Sequence, residues 1–241
     1  MRHQCFFPRL EMFYLVKKNM AHSVKIKSIK QLTHDVKQFR VEKPDGYEFT
    51  PGHATEVSID QEQWKDEKRP FTFTSLTSDE DLEFVIKIYT DHDGVTEALD
   101  HLKPGDHLII RDTWGAIEYK GDGYVIAGGA GITPYIAMFR DLKTKNKLDG
   151  LHLLFSNKTE KDIILKEELD QMLGDRVTYI ITDQEDTQYL NGRVDKELIK
   201  NQVDDFDKNF YVCGPPQMTE DISEILKECG ASPDAVTLDD Q

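Results

Sequence analysis

The sequence is poor in cysteine and lacks a long apolar run. Its 241 residues include three cysteines, Cys5, Cys213 and Cys229, which are too few and too scattered for a disulfide framework. The same count excludes a four-cysteine iron-sulfur cluster within the chain. No apolar run approaches the roughly 18 residues that a membrane helix needs. We therefore expect a protein of the reducing cytoplasm that does not insert into membranes.

Basic residues are scarce relative to acidic ones. The chain has 30 lysines and arginines against 45 aspartates and glutamates, a formal net charge of -15. Because nucleic acids are themselves anionic, we expect no nucleic-acid partner. The histidines show no H-x3-H or H-E-x2-H spacing and no G-x-S-x-G motif occurs, so we predict neither a metal site nor a serine hydrolase.

The first nineteen residues differ in character from the rest, being basic with two short apolar clusters. Arg9 and Glu11 interrupt the apolar core that a signal peptide requires, and no small-x-small cleavage site follows. We interpret residues 1–19 as an extension or an upstream-start artefact, with a small docking helix as the alternative.

Residues 20–118 read as short strands separated by turns such as Pro51-Gly52 and Pro104-Gly105. One helix, Thr96 to Leu102, interrupts them. The predicted strands are short runs between Val24 and Val41, then Ala54–Ile59, Arg69–Ser75, Leu82–Tyr89 and His107–Arg111. This spacing of short strands and turns predicts an antiparallel β-barrel domain.

Residues 119–241 alternate apolar strands with helices. The predicted strands are Tyr124–Ala127, Leu151–Phe155, Val177–Thr182 and Phe210–Cys213, and the predicted helices are Thr133–Lys145, Asp162–Leu173, Asp195–Asn201 and Gln217–Glu228. The alternation predicts an α/β domain with a doubly wound parallel sheet. We place the boundary between the two domains near Tyr119 to Asp122.

Gly128-Gly-Ala-Gly-Ile-Thr-Pro134 follows the first apolar strand of the second domain directly and precedes a helix. Glycines let a ligand approach the backbone, and a helix start offers N–H groups to a pyrophosphate. Such a turn also occurs where a strand merely packs close to a helix, and it is not the G-x-G-x-x-G fingerprint.

Tyr211-Val-Cys-Gly-Pro-Pro-Gln-Met218 lies at the carboxyl end of the fourth parallel strand. Ligands of open α/β sheets bind outside the carboxyl ends of strands, so we expect this turn and the glycine turn to face one crevice. By itself such a cysteine is more often a small buried side chain than a reactive thiol.

Arg69-Pro-Phe-Thr-Phe-Thr-Ser75 combines an arginine with alternating aromatic and hydroxyl side chains in a strand. Such a strand suits a phosphate, a stacked ring and a heterocycle hydrogen bond. The alternative is an ordinary strand with Phe71 and Phe73 in the core, Thr72 and Thr74 outside, and Arg69 in a surface ion pair.

Together the three motifs resemble the ferredoxin-NADP reductase superfamily. The flavin motif R-x-[YF]-[ST] matches Arg69, Phe71 and Thr72, and the nicotinamide motif G-G-x-G-x-[TS]-P matches Gly128 to Pro134. C-G-P-P-x-M matches Cys213 to Met218, and Gly94-Val-Thr96 resembles the family's G-x-[ST] turn. The resemblance covers about residues 20 to 238 and implies a flavin-binding barrel followed by a nicotinamide-binding domain.

The resemblance also implies roles for individual residues. Arg69 would pair with a flavin phosphate, Phe71 would stack on the isoalloxazine, and Thr72 would hydrogen-bond near its N5. The other flavin contacts implied are Pro70, Ile86, Lys87, Ile88, Tyr89, Gly94, Val95 and Thr96. The nicotinamide contacts implied are Gly129, Gly131, Thr133, Pro134, Gly214, Pro215 and Met218, with Thr133 and Cys213 bordering the nicotinamide. Thr72 and Cys213 are the predicted catalytic residues.

The implied reaction is hydride transfer from NADPH or NADH to bound FAD, with the electrons passing to a separate acceptor. FAD is favoured because Gly94 to Thr96 suits a pyrophosphate, although FMN stays possible. Ser156 and Lys158, with Arg193, are candidate contacts to a 2'-phosphate and favour NADPH. The candidate acceptors are flavodoxin, ferredoxin or an oxygenase component, and both halves of the chain carry more acidic than basic residues.

Two alternatives remain: a free-flavin or quinone reductase, and a non-catalytic electron-transfer or regulatory subunit. Many family members end in an aromatic residue that covers the flavin, whereas this sequence ends Thr237-Leu-Asp-Asp-Gln241. We expect easier nicotinamide access and faster oxidation by oxygen than in a relative with that cover.

Overall fold

The computed structural model describes residues 20–90, 94–115 and 117–238. The predicted extension, residues 1–19, and the last three residues of the chain lie outside the described residues. No helix within the described ranges combines the length and the apolarity that crossing a bilayer would require. Cys213 is buried and Cys229 is partly exposed.

Six antiparallel strands form the first sheet, in the order β4-β3-β6-β1-β2-β5. They are β1 (His22–Gln31), β2 (Val36–Glu42), β3 (Ala54–Ile59), β4 (Arg69–Thr72), β5 (Asp81–Lys87) and β6 (His107–Trp114). An antiparallel bridge between Phe73 and Phe84 joins the end of β4 to β5, so the two edges of the sheet meet and it closes as a barrel.

The barrel core follows from the period of two along its strands. In β1, Val24 and Ile26 are buried while Lys25 and Lys27 face solvent. Phe73 stacks on Phe49 with ring centroids 4.4 Å apart. The helix α1 (Val95–Asp100) buries Val95 and Leu99 in the same core, so it is fixed by packing rather than by its short length.

Six parallel strands form the second sheet, in the order β10-β9-β8-β7-β11-β12. The strands are β7 (Gly123–Gly128), β8 (Leu151–Asn157), β9 (Val177–Ile181), β10 (Leu190–Asn191), β11 (Asn209–Cys213) and β12 (Val236–Leu238). The helices are α2 (Thr133–Thr144), α3 (Lys166–Leu173), α4 (Lys196–Gln202) and α5 (Pro216–Glu228).

The helices cover both faces of this sheet. Residues of α2 and α3 belong to one apolar cluster, and residues of α4 and α5 belong to another on the opposite face. β7 is buried along its whole length, as expected for a central parallel strand. The barrel followed by a doubly wound sheet confirms the predicted fold class.

The helix predicted from Asp162 was too long. The chain makes a short 3-10 turn at Glu160–Asp162, closed by a capping box between Thr159 and Asp162, and Leu165 has a positive φ of 52° before α3 begins. Ile163 and Ile164 are buried in the core, which explains the helix-like apolar pattern there. The edge strands β10 and β12 were not predicted, because two or three residues carry little periodic signal.

Candidate active site

A cleft of about 800 Å³ opens at the carboxyl ends of β7, β8, β9 and β11 and extends to the barrel. The residues that line it are Val36, Lys87, Tyr89, Gly128 to Gly131, Ser156 to Lys158, Asp162, Ile164, Thr182, Arg193, Val194, Cys213 to Met218 and Asp221. Both domains therefore contribute walls to one cavity.

The strand order explains why the cleft forms there. From β7 the chain proceeds outward through β8 to β9 and β10, and then returns to place β11 on the other side of β7. The helices that follow β7 and β11 therefore leave in opposite directions, and the turns between them frame a crevice. This is the predicted meeting place of the glycine turn and the Cys213 turn.

The two turns touch through glycine. A Cβ built on Gly131 would lie 2.3 Å from the Cys213 carbonyl oxygen, and one on Gly128 would lie 2.5 Å from the Met218 sulfur. No side chain fits at either position without moving its neighbour. Cys213 itself is buried, at 3% exposure.

Gly129 differs from these two glycines because open space surrounds its Cβ position, with nothing within 4 Å. Its φ of +53° is the left-handed conformation that glycine adopts readily. A ligand can therefore approach the backbone at this point. Thr133 and Pro134 follow in the first turn of α2, where both are buried.

Asn157 supplies a buried polar atom that can accept a hydrogen bond from a ligand. It lines the cleft at the end of β8 and is 4% exposed, and its Oδ1 has no hydrogen-bond partner within the described part of the chain. A buried unpaired oxygen costs about 1–3 kcal/mol, so a donor on a bound ligand would stabilise it. With the open backbone at Gly129, the residues present fit a nicotinamide dinucleotide.

The barrel contributes Lys87 and Tyr89 from the end of β5 and the residues after it. Ile86 and Ile88, predicted with them, have side chains buried in the barrel core. The alternation of a strand sends neighbouring side chains to opposite faces, so only the backbone of these two isoleucines remains for a ligand. Tyr89 is 46% exposed, which leaves its ring open for contact.

Lys87, at the end of β5, is paired with Asp35 in the turn between β1 and β2. Lys87 Nζ lies 2.8 Å from Asp35 Oδ2. Partial burial raises the pKa of the Asp35 carboxyl, but hydrogen bonds from Lys87 and Thr33 outweigh it and leave that pKa below its ordinary value.

The flavin motif lies on β4, beside β3. Arg69 is half-exposed, and its guanidinium donates 2.7 Å to the Lys68 carbonyl. Phe71 is half-buried, whereas Phe73 is completely buried. Thr72 and Thr74 are buried, at 4% and 0% exposure, so the ordinary-strand alternative is wrong in placing both threonines outside. Its other parts agree with the structure: Phe73 lies in the barrel core with Phe71 packed against it, and Arg69 Nη1 lies 3.9 Å from Glu67 Oε2 at the surface.

Unsatisfied polar atoms also occur in the barrel. His53 Nε2 and Glu97 Oε2 are buried without a hydrogen-bond partner in the described ranges. His53 accepts from Phe73 N through its carbonyl at 3.0 Å, which places it beside the flavin motif. Glu97 lies in the first turn of α1, after Gly94 at the N-cap and Thr96. Arg69 and these unpaired groups are polar partners that a flavin dinucleotide on the barrel could use.

The predicted 2'-phosphate contacts converge. Ser156, Lys158 and Arg193 all line the cleft. Two carboxylates that were not predicted, Asp162 and Asp221, line it as well. The two cations, Lys158 and Arg193, therefore share the cleft lining with two carboxylates.

Arg140 is a residue that the motifs did not indicate. Its Nη1 donates to the Thr74 carbonyl at 2.6 Å and to Glu83 Oε1 at 2.7 Å, and both partners belong to the barrel. Its Nε and Nη2 donate to the two oxygens of Glu168, at 2.6 and 2.9 Å. One guanidinium on α2 thus joins the two domains.

Glu83 is 3% exposed on β5. Burial raises the pKa of its carboxyl, but the Arg140 guanidinium, with Thr74 and Arg40, outweighs burial and holds that pKa below 4.5, its ordinary value. Burial likewise lowers the pKa of Arg140, and Glu168 and Glu83 raise it above its usual range. The pair is therefore ionised at neutral pH.

Comparison with known proteins identifies both domains. The family model for the oxidoreductase FAD-binding domain matches residues 23–119, and that for the oxidoreductase NAD-binding domain matches residues 125–224. Together they span most of the chain.

Individual relatives align with the chain across both domains. The chain is 33% identical over 220 residues to an NADH-cytochrome b5 reductase 2 from Mycosarcoma maydis, covering 82% of this chain and 63% of that protein. It is 28% identical over 221 residues to an NADH-cytochrome b5 reductase 1 from Arabidopsis thaliana, covering 85% of this chain and 78% of that protein. The chain thus spans less than two thirds of the fungal relative.

A solved structure shares the fold at low sequence identity. A ferredoxin NADP+ reductase from Neisseria gonorrhoeae aligns with a TM-score of 0.78 at 17% identity, over 90% of this chain and 97% of that one. With its FAD-binding barrel followed by an NAD-binding α/β domain, the chain belongs to the ferredoxin-NADP reductase superfamily.

Proposed function

We propose that this chain is a flavoprotein reductase that takes a hydride from NADH onto bound FAD and passes the electrons to a haem protein of the cytochrome b5 type. The observation that carries the proposal is the shared cleft, in which Lys87 and Tyr89 of the barrel face the glycine turn and Cys213 of the α/β domain. Bound FAD supplies the chemistry, because it accepts two electrons together and releases them one at a time.

The protein's own part is to bind and orient. In this proposal the Arg69 guanidinium pairs with a flavin phosphate, which its half-exposed position at the start of β4 supports. Phe71, half-buried on the same strand, offers a ring for stacking. The buried Thr72 hydroxyl is the candidate donor near the reacting edge.

On the other wall, the open backbone at Gly129 and the first turn of α2 receive the dinucleotide phosphates. Thr133 and Cys213 border the nicotinamide, and Gly131 lets their two turns approach each other. Holding both rings in one geometry removes much of the entropic barrier to hydride transfer.

The charges of the cleft favour NADH over NADPH. Lys158 and Arg193 are balanced by Asp162 and Asp221, and Lys87 is already paired with Asp35. A 2'-phosphate would bring further negative charge into a lining that has no surplus of cations. The names of the Mycosarcoma and Arabidopsis relatives specify NADH as well.

The acceptor is proposed from the names of the same two relatives, both of them cytochrome b5 reductases. The net charge of -15 disfavours an acceptor with an acidic docking face, because like charges slow encounter.

An anaerobic stopped-flow experiment tests the proposal. The purified protein should carry the visible spectrum of FAD, and NADH should bleach it faster than NADPH. The reduced protein should then reduce cytochrome b5 faster than ferredoxin, flavodoxin, free FMN or a quinone. A flavin that neither nicotinamide bleaches would refute the enzyme assignment, and fastest transfer to FMN or a quinone would make the chain a free-flavin or quinone reductase.

A further inference from the structure

The contact between the two domains has an apolar part and polar contacts, among them a half-exposed one between His34 and Asp162 and a largely buried one at Arg140. Val36 and Val85 of the barrel pack into the apolar cluster formed by α2, α3 and the parallel sheet. Apolar contacts tolerate sliding because they have no preferred direction. A guanidinium with fixed donor directions resists such sliding, and Arg140 is largely buried at this contact.

The position of Arg140 connects two parts of the proposed site. On α2, it follows Thr133 by two helical turns, about 10 Å along the axis, so it moves as one body with the glycine turn. On the barrel, its partner carbonyl belongs to Thr74, two residues after Thr72 in the flavin motif. One side chain thus links the nicotinamide turn to the flavin strand.

The junction is tightly built on the barrel side. Glu83 Oε1 accepts from both Arg140 Nη1, at 2.7 Å, and Thr74 Oγ1, at 2.9 Å. Thr74 N donates to the Glu83 carbonyl at 2.9 Å. Arg140, Thr74 and Glu83 therefore form a closed ring of hydrogen bonds, and rotation of either the Arg140 or the Glu83 side chain breaks two of them.

The α/β side is equally fixed. The two oxygens of Glu168 on α3 hold the other edge of the guanidinium in a bidentate pair, a geometry that lysine cannot reproduce. The Arg140 and Glu83 side chains are 18% and 4% exposed, so water screens the contact little.

We propose that Arg140 is a positioning residue for hydride transfer, which fixes the distance between the flavin strand and the nicotinamide turn by clamping Thr74 and Glu83 to α2. The inference rests on the proposed function. In that reaction a C4–H bond of the dihydronicotinamide breaks with its electron pair, the nicotinamide is oxidised, and the flavin is reduced with formation of an N5–H bond. A displacement of about 1 Å at such a step costs up to about a hundredfold in rate.

Three variants test the clamp. Arg140→Met removes it, Arg140→Lys keeps the charge without the fork, and Arg140→Met with Glu83→Gln removes the clamp without leaving a buried charge. Arg176→Met is the matched control. Arg176 is 23% exposed and bonds to carbonyls of Leu148, Leu151 and Met172, all within the α/β domain.

The first readout is the limiting rate of flavin reduction at saturating NADH, measured with FAD bound. We expect Arg140→Met and the double variant to lose about tenfold to a hundredfold, and Arg140→Lys to lose less. The FAD content should stay unchanged, and the charge-transfer absorbance between the two rings should fall. Arg176→Met should lower the melting temperature without changing the limiting rate.

The double variant separates positioning from stability. Its melting temperature should recover relative to Arg140→Met, because no charge is stranded, while its reduction rate should stay low. A double variant that reduces its flavin at the wild-type rate would overturn the proposal. An equal loss of rate in Arg176→Met would do the same.

A second readout does not depend on turnover. Hydrogen exchange should increase at residues 73–75 in Arg140→Lys and the double variant, and not in Arg176→Met. If neither nicotinamide reduces the wild-type flavin, the proposed function fails, yet this measurement still decides whether Arg140 clamps the barrel. Unchanged exchange at residues 73–75 would show that it does not.

Discussion

The two walls of the cleft differ in which atoms form them. The α/β wall consists largely of backbone turns, in which Gly128 and Gly131 press against the Cys213 turn with no room for a Cβ. The barrel wall consists of side chains, such as Lys87 and Tyr89, presented by strand alternation. Ligand binding should therefore be lost on the α/β side when an atom is added to the backbone, and on the barrel side when a particular side-chain group is removed.

The largest effect should come from adding one carbon to the backbone wall. In Gly131→Ala the new Cβ would lie 2.3 Å from a main-chain oxygen, so the turns after β7 and β11 must separate. We expect loss of donor binding by about a hundredfold or more, or failure of the α/β domain to fold, since overpacking commonly costs about 1–3 kcal/mol and here meets rigid backbone. Donor titration and thermal unfolding measure it.

Two other glycines provide controls for this change. Gly129 and Gly46 have positive φ values of 53° and 71° with open space at the Cβ position, so alanine at either costs a similar strain of about 1–2 kcal/mol. Gly46 lies in a barrel turn, far in sequence from the motifs. Gly129→Ala should also weaken NADH binding, whereas Gly46→Ala should not. Equal donor affinity in the two would contradict the role given to the Gly129 backbone.

Breaking the junction between the walls should have the next largest effect. Removing one partner of a buried ion pair costs about 3–5 kcal/mol, so Arg140→Met should lower the free energy of unfolding by that amount. The wild-type pair contributes stability that is present above pH 4.5, the ordinary pKa of Glu83, and is lost as the pH falls through the lowered folded-state pKa.

In the variant the largest contribution that opposes burial is lost, and only Thr74 and Arg40 still favour the ionised Glu83 carboxylate. The pKa of Glu83 should therefore rise relative to wild type, so the stability deficit of Arg140→Met should grow as the pH rises from about 5 to about 8. Urea unfolding at both pH values measures it. A deficit that is independent of pH would mean that Glu83 is not the group left uncompensated.

A smaller effect is expected from the side-chain wall. Arg69→Ala should weaken FAD binding by about tenfold to a hundredfold, the equivalent of a charge-assisted hydrogen bond worth about 1.5–3 kcal/mol, without unfolding the barrel. Lys68→Ala is the control, because Lys68 is a neighbouring exposed cation paired with Glu56. Flavin fluorescence titration should give FAD affinities that differ between the two variants. Equal affinities would remove Arg69 from the phosphate site.

The smallest effect concerns the choice of donor. Asp221→Asn removes one exposed carboxylate from the cleft lining, so NADPH should gain by a few-fold relative to NADH, as expected for an exposed charge worth about 0.2–1 kcal/mol. The ratio of kcat/KM for the two donors measures it. A ratio equal to that of wild type would show that Asp221 does not face the 2' position.

Strands and helices with a clear hydrophobic period were predictable. The predicted strand Ala54–Ile59 coincides with β3, and the predicted helix Thr133–Lys145 ends one residue beyond α2. The three motifs were visible because glycine, proline and aromatic residues at fixed spacing carry local meaning. The individual roles of the site residues stay predictions. The inward direction of Ile86 and Ile88 was missed because a strand's alternation does not reveal which face is the core.

Arg140, Glu83 and Asn157 were not predictable as site residues. Arg140 lies on a helix whose pattern indicated only an apolar stripe, and its partner Glu83 precedes it in sequence by more than fifty residues. An arginine or a glutamate is usually solvent-exposed, so nothing local distinguishes this buried pair. The same holds for the carboxylates Asp162 and Asp221.

The amino-acid sequence by itself determined the two domain types, their order and the turns that carry the motifs, because these follow from local periodicity and backbone freedom. Only the tertiary structure decided that β11 returns beside β7, that the barrel closes through Phe73 and Phe84, and that Arg140 joins the two domains. Burial and charge pairing between distant segments depend on the packed arrangement of the whole chain, and no local pattern encodes them.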